Sequence, residues 1–588
     1  MSINIDKKSK YPRPQLYRDG YISLNGQWEF LFDAKNKGEG EGYHKGLPVA
    51  DKLKIKVPFS YETAASGINK QEPCNNVWYS RKLDIGKEAA GKRTILHFEG
   101  SDYVTKVWIN GQGIGRNKGG YHRFSFDISD SLRIGDNTLV VKCEDSLDAR
   151  QVRGKQRWYE GGPWGCFYTQ TTGIWKEVWL EHIDKAHIIN VKTTPLIDSH
   201  EVRLEFEVTD SAVGLDLDTE VFFENKAVAK VISGILKSSF SVTLSLNSSA
   251  DNWQVAEWNY VTPKLYDVKF TLIKSAKAVD TVESYFGFRE FRVEGNTILL
   301  NRVPIYQRLI LDQGYHPEGC LTANSPDDFK RDLELIKSFG YNGVRMHQKI
   351  EDERYLYWAD RLGMIVWCEM PSPYEFDDTM MEDYTEQWIK VVRQNYNHPS
   401  ICVWVPFNES WGVQRILTDR HQQAFTDSIY YLTKAYDKMR PVISNDGWEH
   451  TTSDIITLHN YVECGDEMSK QYSDLERRTL SNLNPTHGQK LAFAEGYGYN
   501  GQPIIVSEYG GISFKVKRKE DWGYGKQVGS EEEFLNRFSK VTYAIKNMPN
   551  VCGFCYTQFT DVHQETNGLA DSNREPKILP EKIRKINE

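Results

Sequence analysis

The sequence predicts a multidomain chain in which two β-sandwiches precede a (β/α)8 TIM barrel, and three observations lead to this prediction. The chain has 588 residues, which is too long for one hydrophobic core. Residues 1–287 contain short alternating segments with turn signals between them, whereas residues 288–588 alternate strand-like with helix-like segments. Two strand-like segments of the second part end in a glutamate, where a β/α barrel builds its active site.

Residues 1–182 are predicted to form an N-terminal jelly-roll β-sandwich. Segments such as Thr94–Glu99 and Asn137–Lys142 alternate apolar and polar side chains, as half-buried strands do. Asn110-Gly111 directly follows another such segment and is a strong signal for a two-residue hairpin turn. Short strands of this kind with turns between them are typical of a sandwich.

Residues 183–287 are predicted to form an immunoglobulin-like β-sandwich. Strand-like segments continue here, for example Val202–Val208, Ser239–Leu244 and Tyr266–Leu272. A length of about 100 residues and about seven short strands fit that architecture.

Residues 288–588 are predicted to form the (β/α)8 barrel, because strands and helices alternate along this part of the chain. The segment 327–337 illustrates the helices, since it has an acidic first turn and apolar residues at helical spacing. The expected strands are Ile305–Leu311, Asn342–His347, Met364–Met370, Ile401–Asn408, Val442–Asp446, Ile455–His459, Ile504–Glu508 and Cys552–Gln558.

The composition excludes several kinds of partner. The net charge is −8 without a basic stripe, so no nucleic acid partner is expected. No run of about 18 apolar residues exists and the first residues lack a signal-peptide core, which indicates a cytoplasmic protein without a membrane partner. The nine cysteines are scattered, and Cys552-Gly-Phe-Cys555 has no second pair to complete a zinc site. We therefore expect free thiols, no metal and no cofactor, and leave homo-oligomerisation open.

Glu409 and Glu508 are the candidate catalytic residues. Each ends an apolar, β-branched run, Ile401–Asn408 and Pro503–Ser507, and glycine follows soon after. In the strand count above they follow strand four and end strand seven, so their side chains are expected to converge over the barrel mouth. Glycoside cleavage requires two such acids, one to protonate the leaving oxygen and one carboxylate facing the anomeric carbon. A glutamate that merely begins a βα loop is the alternative interpretation.

Further candidates follow the other strands, and each has a structural alternative such as a loop cap, a hydrogen bond to the rim or a solvated charge. Polar or aromatic residues at these positions suit sugar hydroxyls and sugar faces. The substrate-binding residues predicted from these positions are Arg345, His347, Lys349, Asp312, Asp446, Trp448, His459 and Tyr461.

Several motifs, in order along nearly the whole chain, resemble glycoside hydrolase family 2, the family of β-galactosidases, β-glucuronidases and β-mannosidases. They are Leu24-Asn-Gly-Gln-Trp28, Asn76-Val-Trp-Tyr-Ser-Arg81, Thr172-Gly-Ile-Trp-Lys-Glu-Val-Trp179, Phe286-Gly-Phe-Arg289, Tyr396-Asn-His-Pro-Ser-Ile401, Asn408-Glu409 and Ser507-Glu508-Tyr-Gly-Gly511. The resemblance implies that the first sandwich is sugar-binding-like. It also implies that Glu409 is the acid/base, that Glu508 is the nucleophile of a retaining double displacement, and that Asn408 contacts the sugar 2-hydroxyl. We expect the ionised Glu508 to raise the pKa of Glu409.

The chain departs from the family pattern at positions that concern the substrate. Arg345-Met-His347-Gln-Lys349 stands where most members carry Arg-x-x-His-x-Pro. The stretch 564–568 has no lysine where β-glucuronidases carry Asn-x-Lys, which argues against a glucuronidase, although Lys349 could supply a cation from another position. Tyr556 stands where many members place a tryptophan under the sugar.

The expected function is a retaining exo-β-glycosidase that removes a terminal non-reducing sugar, with a β-galactoside as the first choice. Alternatives are a β-uronidase, for galacturonides rather than glucuronides, and a β-galactofuranosidase or α-L-arabinofuranosidase. From a different class, a non-catalytic carbohydrate-binding protein on an inactive barrel is a remote alternative, because both acids are present.

Overall fold

A computed structural model describes residues 5–246, 255–485 and 487–588, beginning with the short helix Ile5–Lys10. The first sandwich packs two antiparallel sheets around Trp28, Phe98 and Val141. One sheet contains, in spatial order, Ile22–Ser23, Val178–Ile183, Arg93–Phe98 and Phe124–Asp127. The other contains, in spatial order, Leu53–Val57, Gly26–Phe32, Asn76–Ile85, Gly135–Glu144, Val104–Ile109 and Gln112–Lys118. Asn110 and Gly111, at φ 52° and 83°, form the predicted hairpin turn between the last two strands.

The second sandwich also packs two antiparallel sheets face to face. Its core includes Leu204 and Phe206 from one sheet and Val221 and Phe270 from the other, because alternate residues of each strand point inward. One sheet contains Ile188–Leu196, Glu201–Val208 and Ser239–Ser245. The other contains Lys226–Gly234, Asp216–Phe223, Tyr266–Lys274 and Lys277–Phe286.

The barrel strands lie close to their predicted positions. They are β1 (Gln307–Asp312), β2 (Gly343–Met346), β3 (Ile365–Glu369), β4 (Ile401–Val405), β5 (Asn445–Asp446), β6 (Ile456–Asn460), β7 (Ile504–Gly510) and β8 (Val551–Thr557). Neighbouring strands are parallel, and β8 pairs with β1. The fifth position is shorter than predicted: β5 pairs only with Phe407–Asn408, and Val442 forms a single bridge to Trp404.

Helices cover the outside of the barrel. The predicted helix at 327–337 is Pro326–Ser338, and Ser325 begins it with a capping box that includes Asp328. The other helices of this part are Glu353–Leu362, Asp378–Asn395, Arg420–Tyr436, Gly465–Gln471, Leu475–Arg478, Glu531–Lys546 and Pro580–Asn587. In the described part of the chain, no helix combines the length and the apolar character needed to cross a membrane.

Side chains alternate between the inside and the outside of the barrel along each strand, and this alternation decides which strand-end residues face the barrel axis. Leu309 and Leu311 of β1 belong to the interior cluster, together with Trp367 of β3 and Cys555 of β8. Ile310, between the first two, belongs to the cluster shared with the helices. A small sheet of Phe291–Glu294, Thr297–Leu300 and Val303–Pro304 adds residues to the interior cluster.

Candidate active site

Glu409 and Glu508 meet at the carboxyl edge of the barrel, with His459 from the end of β6 between them. The Nδ1 atom of His459 lies 2.7 Å from Glu409 Oε1 and 3.5 Å from Glu508 Oε2. One carboxylate oxygen of each glutamate lies within 4.8 Å of the other. The two acids that the sequence predicts to converge therefore do so, although they belong to distant parts of the chain.

The backbone at Glu409 adopts a left-handed conformation that places the side chain over the mouth. Glu409 has a φ of 51° and Ser410 a φ of 59°, a region that costs a non-glycine residue roughly 1–3 kcal/mol. The surrounding contacts hold this conformation. The amide of Glu409 donates to Asp446 O at 2.9 Å, and Ser410 donates its amide to Asn445 Oδ1 at 2.9 Å and its hydroxyl to Glu449 Oε2 at 2.6 Å. Two consecutive residues with a positive φ are thus held in place at the candidate acid by hydrogen bonds.

Arg345, which points inward from β2, is the central cation of the site. Its guanidinium is fully buried and donates to Glu508 Oε1 at 2.8 Å and to Glu369 Oε2 at 2.7 Å. It also lies 2.9 Å from Asp446 Oδ2 and donates to Asn408 Oδ1 at 2.6 Å. A planar guanidinium with several donors in fixed directions suits this task, because one side chain can orient several acceptors at once.

Tyr461 orients the other oxygen of Glu508. Its hydroxyl donates a short hydrogen bond to Glu508 Oε2 and lies 3.1 Å from Thr557 Oγ1. The Tyr461 ring stacks on Tyr524, with 3.4 Å between the ring centroids. Glu508 is therefore fixed at both oxygens, one by a guanidinium and one by a phenol, and its carboxylate faces the mouth in a defined direction.

The pKa shifts differ from the sequence-based expectation at Glu409. Burial favours the neutral acid, but the hydrogen bond and charge of His459 outweigh it, so the pKa of Glu409 is lowered rather than raised. Burial disfavours a charged His459, but Glu508, Asp446 and Glu409 raise its pKa to about 10. Burial likewise opposes an ionised Asp446, but Arg345 and His459 hold its pKa well below the usual range. The expectation of a raised pKa for Glu409 is therefore wrong, because the hydrogen bond and charge of His459 outweigh the effect of burial.

His347 and Trp448 also lie at this edge. His347 Nδ1 is 2.9 Å from Glu369 Oε1 and 3.2 Å from the Arg345 guanidinium, and burial holds its pKa far below the usual range, so it is neutral. The Trp448 ring contacts the His459 ring edge-on, with 5.4 Å between centroids. Glu369, which the sequence analysis did not select, ends the apolar strand β3 as Glu409 and Glu508 end theirs, and that signal would have identified it.

The structure does not bring Lys349, Asp312 or Tyr556 to the two glutamates, and these three assignments are corrected. The Lys349 ammonium lies 2.5 Å from Glu351 and donates to Gly314 O at 2.7 Å. It is a buried structural cation rather than a charge at the rim.

Asp312 and Tyr556 have side chains on the outer surface of the barrel because of strand alternation. Asp312 follows the inward-facing Leu311, and its Oδ1 accepts from the amide of Gly314 at 2.8 Å. Tyr556 follows the inward-facing Cys555, and its ring packs against Phe538 of a covering helix at 5.0 Å. Neither side chain is directed at a sugar in the barrel mouth.

A segment of the first sandwich, residues 153–168, forms one side of the site. Gly154 donates to Ser372 O at 3.0 Å, and a β-carbon on Gly154 would lie 2.4 Å from Gln348 O, so only glycine permits this approach. Farther along, Gly165 O accepts from Trp522 Nε1 at 3.1 Å. The backbone of this sandwich loop is thus hydrogen-bonded directly to the barrel.

Lys155, within this 153–168 segment, is another residue of the site that could not be predicted from the sequence. It is 7% exposed, and the charges of Cys166, Glu409, Glu565 and Glu508 raise its pKa although burial opposes this. Its ammonium therefore lies among the acids of the barrel. It belongs to another domain and to no recognisable strand end, so no pattern in the sequence indicates it.

Glu409, His459 and Glu508 also offer three potential metal-ligand atoms within 4.8 Å of one another. Glu409 follows β4, His459 belongs to β6 and Glu508 to β7, so no residue spacing along the sequence predicts this group of ligand atoms. His459 Nε2 lies 2.7 Å from the ionised Asp446 and must donate to it, while Arg345 already compensates the charge of Glu508. We infer that hydrogen bonds of His459 and the guanidinium of Arg345, rather than a metal ion, hold these acids together. The expectation of catalysis without a metal stays a prediction.

Comparison with known proteins assigns the family. Residues 21–183 match the sugar binding domain of glycosyl hydrolases family 2, residues 186–289 match the glycosyl hydrolases family 2 model, and residues 291–585 match the family's TIM barrel domain. The chain belongs to glycoside hydrolase family 2. The resemblance found in the sequence, the expected fold class and the expectation of a glycoside hydrolase are confirmed.

Relatives of this chain carry two different activities in their names. A putative β-glucuronidase from Formosa agariphila is 27% identical, over 66% of this chain and 46% of that protein. The β-galactosidase of Thermoanaerobacter pseudethanolicus is 24% identical, over 93% and 75%. The β-glucuronidase of Streptococcus agalactiae is 22% identical, over 98% and 97%. The chain thus spans less than half of the Formosa protein.

Solved structures show the same architecture. The β-glucuronidase of Ruminococcus gnavus in complex with D-glucuronic acid aligns with a TM-score of 0.79 over 99% of both chains. The sequence identity is 18%, so this likeness concerns the fold.

Proposed function

We propose that the protein is a retaining exo-β-glycosidase that removes one terminal non-reducing sugar through Glu409 and Glu508. The observation that carries the proposal is the approach of the two carboxylates, which have oxygens within 4.8 Å of one another. Retaining enzymes hold their two carboxyl groups about 5–5.5 Å apart, whereas inverting enzymes leave about 6.5–9.5 Å for a water molecule. The close approach supports a direct attack by one carboxylate.

In the proposed first step, the Glu508 carboxylate attacks the anomeric carbon and Glu409 protonates the leaving oxygen. Arg345 and Tyr461 each bind one oxygen of Glu508 and hold it in line for this attack. We assign the acid role to Glu409 from the family resemblance, and its side chain is the more exposed of the two, 18% against 5% for Glu508. In the second step, Glu409 takes a proton from water, the hydroxide attacks the anomeric carbon, and Glu508 leaves as a carboxylate.

We propose that Asn408 contacts the sugar beside the nucleophile. Its Oδ1 accepts from Arg345 at 2.6 Å, which fixes the amide so that Nδ2 is the free end. Among the described residues, this buried Nδ2 has no hydrogen-bond partner. A donor held in this way suits the 2-hydroxyl, where hydrogen bonds strengthen as the oxocarbenium ion develops.

We propose a terminal β-galactoside as the substrate. A relative named β-galactosidase matches over 93% of this chain. The acids buried around the cleavage point, Glu369, Asp446 and Glu565, disfavour a substrate that brings a further carboxylate.

A β-uronide is the second candidate, and Lys155 is the observation that favours it. Its buried ammonium faces the acids of the site, and a charge-assisted hydrogen bond to a sugar carboxylate is a strong contact. Relatives named β-glucuronidase agree with this candidate.

A panel of nitrophenyl glycosides tests the proposal. It contains the β-galactopyranoside, β-galacturonide, β-glucuronide, β-galactofuranoside and α-L-arabinofuranoside, and proton NMR identifies the anomer released first. We expect the highest kcat/KM on the β-galactopyranoside, with retention of configuration. Inversion would refute the two-glutamate assignment, and turnover of no sugar would indicate a carbohydrate-binding protein.

Lys155→Met separates the two substrate candidates, and Lys54→Met, at an exposed position of the same sandwich, is the matched control. If the substrate is a uronide, Lys155→Met raises KM for the uronide far more than for the neutral sugar. An equal change on both sugars would exclude Lys155 as the carboxylate-binding residue. The control should leave both values unchanged.

We also propose a cytoplasmic setting. All nine cysteines fall within the described residues and are free thiols, which agrees with a reducing compartment.

A further inference from the structure

We propose that His459 and Asp446 hold the proton that Glu409 delivers, so that Asp446, His459 and Glu409 act together as the acid/base of the reaction. The proposal rests on the proposed glycosidase function and adds to it two positioning residues behind the acid. It assigns a role to His459, a buried histidine whose two ring nitrogens each contact a carboxylate.

The geometry is a continuous line of two short hydrogen bonds. His459 Nε2 lies 2.7 Å from Asp446 Oδ2, and His459 Nδ1 lies 2.7 Å from Glu409 Oε1. Because each contact joins a ring nitrogen to a carboxylate oxygen, each one requires a proton between its two atoms. The line therefore holds two protons, one on each side of the imidazole ring.

Asp446 keeps the proton of its hydrogen bond with His459 on the Nε2 atom. Its Oδ2 also lies 2.9 Å from the Arg345 guanidinium and accepts from Ser507 Oγ at 3.0 Å. An acceptor with three donors remains a carboxylate, so the Nε2 proton stays on His459 throughout. The second proton, between Nδ1 and Glu409, is the one that can move.

Exposure decides which member of the line meets the substrate. The side chains of Asp446 and His459 are 0% exposed, whereas that of Glu409 is 18% exposed. His459 cannot reach a glycosidic oxygen from this position, so any proton that it holds must pass through Glu409.

The proton balance closes over one catalytic cycle. In the first step the Nδ1 proton passes to Glu409 and on to the leaving oxygen while Glu508 attacks, which leaves His459 neutral with its Nε2 proton. In the second step Glu409 takes a proton from water and passes it to Nδ1, the hydroxide attacks the anomeric carbon, and Glu508 is released. The free enzyme is restored without any further proton donor.

This arrangement accounts for an acid whose own pKa is lowered. Alone, a Glu409 with a lowered pKa would be ionised at neutral pH and unable to protonate a leaving group. With its proton held on His459 at a pKa of about 10, the unit remains loaded well above neutral pH. The two groups titrate as a coupled pair, so the pH profile reports the pair.

Burial raises the pKa of Glu369, which contacts Arg345 and His347, to about 7, so Glu369 titrates near neutral pH and well below the basic limb. The other groups around the pair do not titrate in the neutral to moderately basic range that the test uses. The pKa values of His347 and His450 are lowered, so both are already neutral, and those of Arg345, Lys155, Cys166, Tyr461 and Tyr524 are raised. The titratable or charged groups that face His459 and Glu409 are Lys155, Cys166, Arg345, His347, Asp446, His450, Tyr461, Glu508 and Tyr524. The basic limb of the profile therefore belongs to the Glu409–His459 pair.

The test measures kcat/KM against pH for the full-length parent, His459→Asn and Asp446→Asn. It uses two glycosides of the sugar selected by the panel above, one with a poor phenol leaving group and one with dinitrophenol. For His459→Asn we expect the basic limb to move at least one pH unit lower. At pH 8 the poor leaving group should lose roughly 100-fold or more in kcat/KM, within the range of general acid catalysis, while the dinitrophenyl substrate loses far less.

Asp446→Asn keeps the imidazole and removes one of the charges that stabilise its protonated form, so the limb should move in the same direction by a smaller amount. It also serves as the second variant if His459→Asn fails to fold, which thermal unfolding would reveal. His450→Asn is the matched control, because His450 is a buried histidine that contacts Ser453 and Thr457 rather than Glu409. Its basic limb should match that of the parent, whatever its Tm.

Three results would overturn the proposal. An unchanged basic limb in a folded His459→Asn protein would show that Glu409 holds its own proton, and an equal loss on both leaving groups would indicate a purely structural role. Activity that a chelator abolishes and one added divalent metal restores would place an ion between these residues instead. Each of these leaves the two-glutamate function standing, whereas a parent that cleaves no glycoside would refute the function itself.

Discussion

Replacing Arg345 with methionine tests the central feature of the site, which is a single buried cation that serves several acids. Methionine approximates the length of the arginine stem and removes all of its donors. Glu508, Glu369 and Asp446 would then lose a guanidinium that now lies within 2.9 Å of each of them.

The expected magnitude follows from burial. Arg345 and its partners have side-chain exposures between 0% and 5%, and breaking a buried ion pair by removing one partner costs about 3–5 kcal/mol. For a barrel of this size each kcal/mol lowers Tm by about 2–4 °C, so we expect a decrease of roughly 6–20 °C at pH 7. Loss of the contact to Glu508 also misplaces the nucleophile, for which a 100-fold decrease in kcat/KM is the order expected.

The pH dependence has a defined sign. Arg345 lowers the folded-state pKa of Asp446, so Asp446 stabilises the fold above its unfolded pKa of about 3.9, and this contribution is lost as the pH falls through the folded value. In the variant this contribution is absent. The part of the Tm difference between the parent and Arg345→Met that is due to Asp446 should therefore be fully present at pH 7. It should decrease only below about pH 4.

Calorimetry of the full chain, with kcat/KM on the preferred nitrophenyl glycoside, measures both effects. Arg393→Met is the control, since Arg393 pairs with Glu207 at 2.7 Å but the two side chains are 49% and 47% exposed. An exposed pair contributes about 0–1 kcal/mol, so its Tm should hardly change. If Arg345→Met had the Tm and activity of the parent, the argument that one guanidinium supports the site would be refuted.

Three further substitutions test the roles of single residues. Glu508→Gln should reduce turnover by several orders of magnitude without a loss of structure, and a 2-fluoro glycoside should label the parent only on the peptide that holds Glu508, as mass spectrometry would show. Glu409→Gln should cost about 10²–10⁴-fold on poor leaving groups but spare the first step on dinitrophenyl glycosides; equal losses in stopped-flow measurements would exclude the acid role. Lys349→Met should leave KM unchanged and lower Tm, because it breaks the buried contact to Glu351; a large rise in KM at an unchanged Tm would restore Lys349 to the site.

The parts of the fold that follow from local periodicity could be predicted from the sequence. The barrel strands and the helix that begins after Ser325 lie close to their predicted positions, because alternation and capping are encoded in neighbouring residues. The convergence of Glu409 and Glu508 was predictable for the same reason, since a strand that stops at an acid identifies its own active-site end.

Side-chain direction could not be read as easily. Tyr556 and Asp312 end barrel strands but face outward, and a shift of one residue in the assumed alternation exchanges the inner and outer faces. Lys349 lies just beyond a strand, where alternation gives no guidance, and its partner Glu351 is set by the path of the loop. Lys155 depends on how a separate domain docks, which no local pattern encodes.

The 153–168 segment gives the protein a composite catalytic pocket. The carboxylates belong to the barrel, but one side of the pocket is translated earlier, as part of a domain with its own core. The barrel alone therefore lacks one side of this pocket, which is complete only when both domains have folded and docked. If Lys155 binds the sugar as proposed, replacing the first sandwich would remove this contact, and sugar selectivity would depend on a domain that contains neither Glu409 nor Glu508.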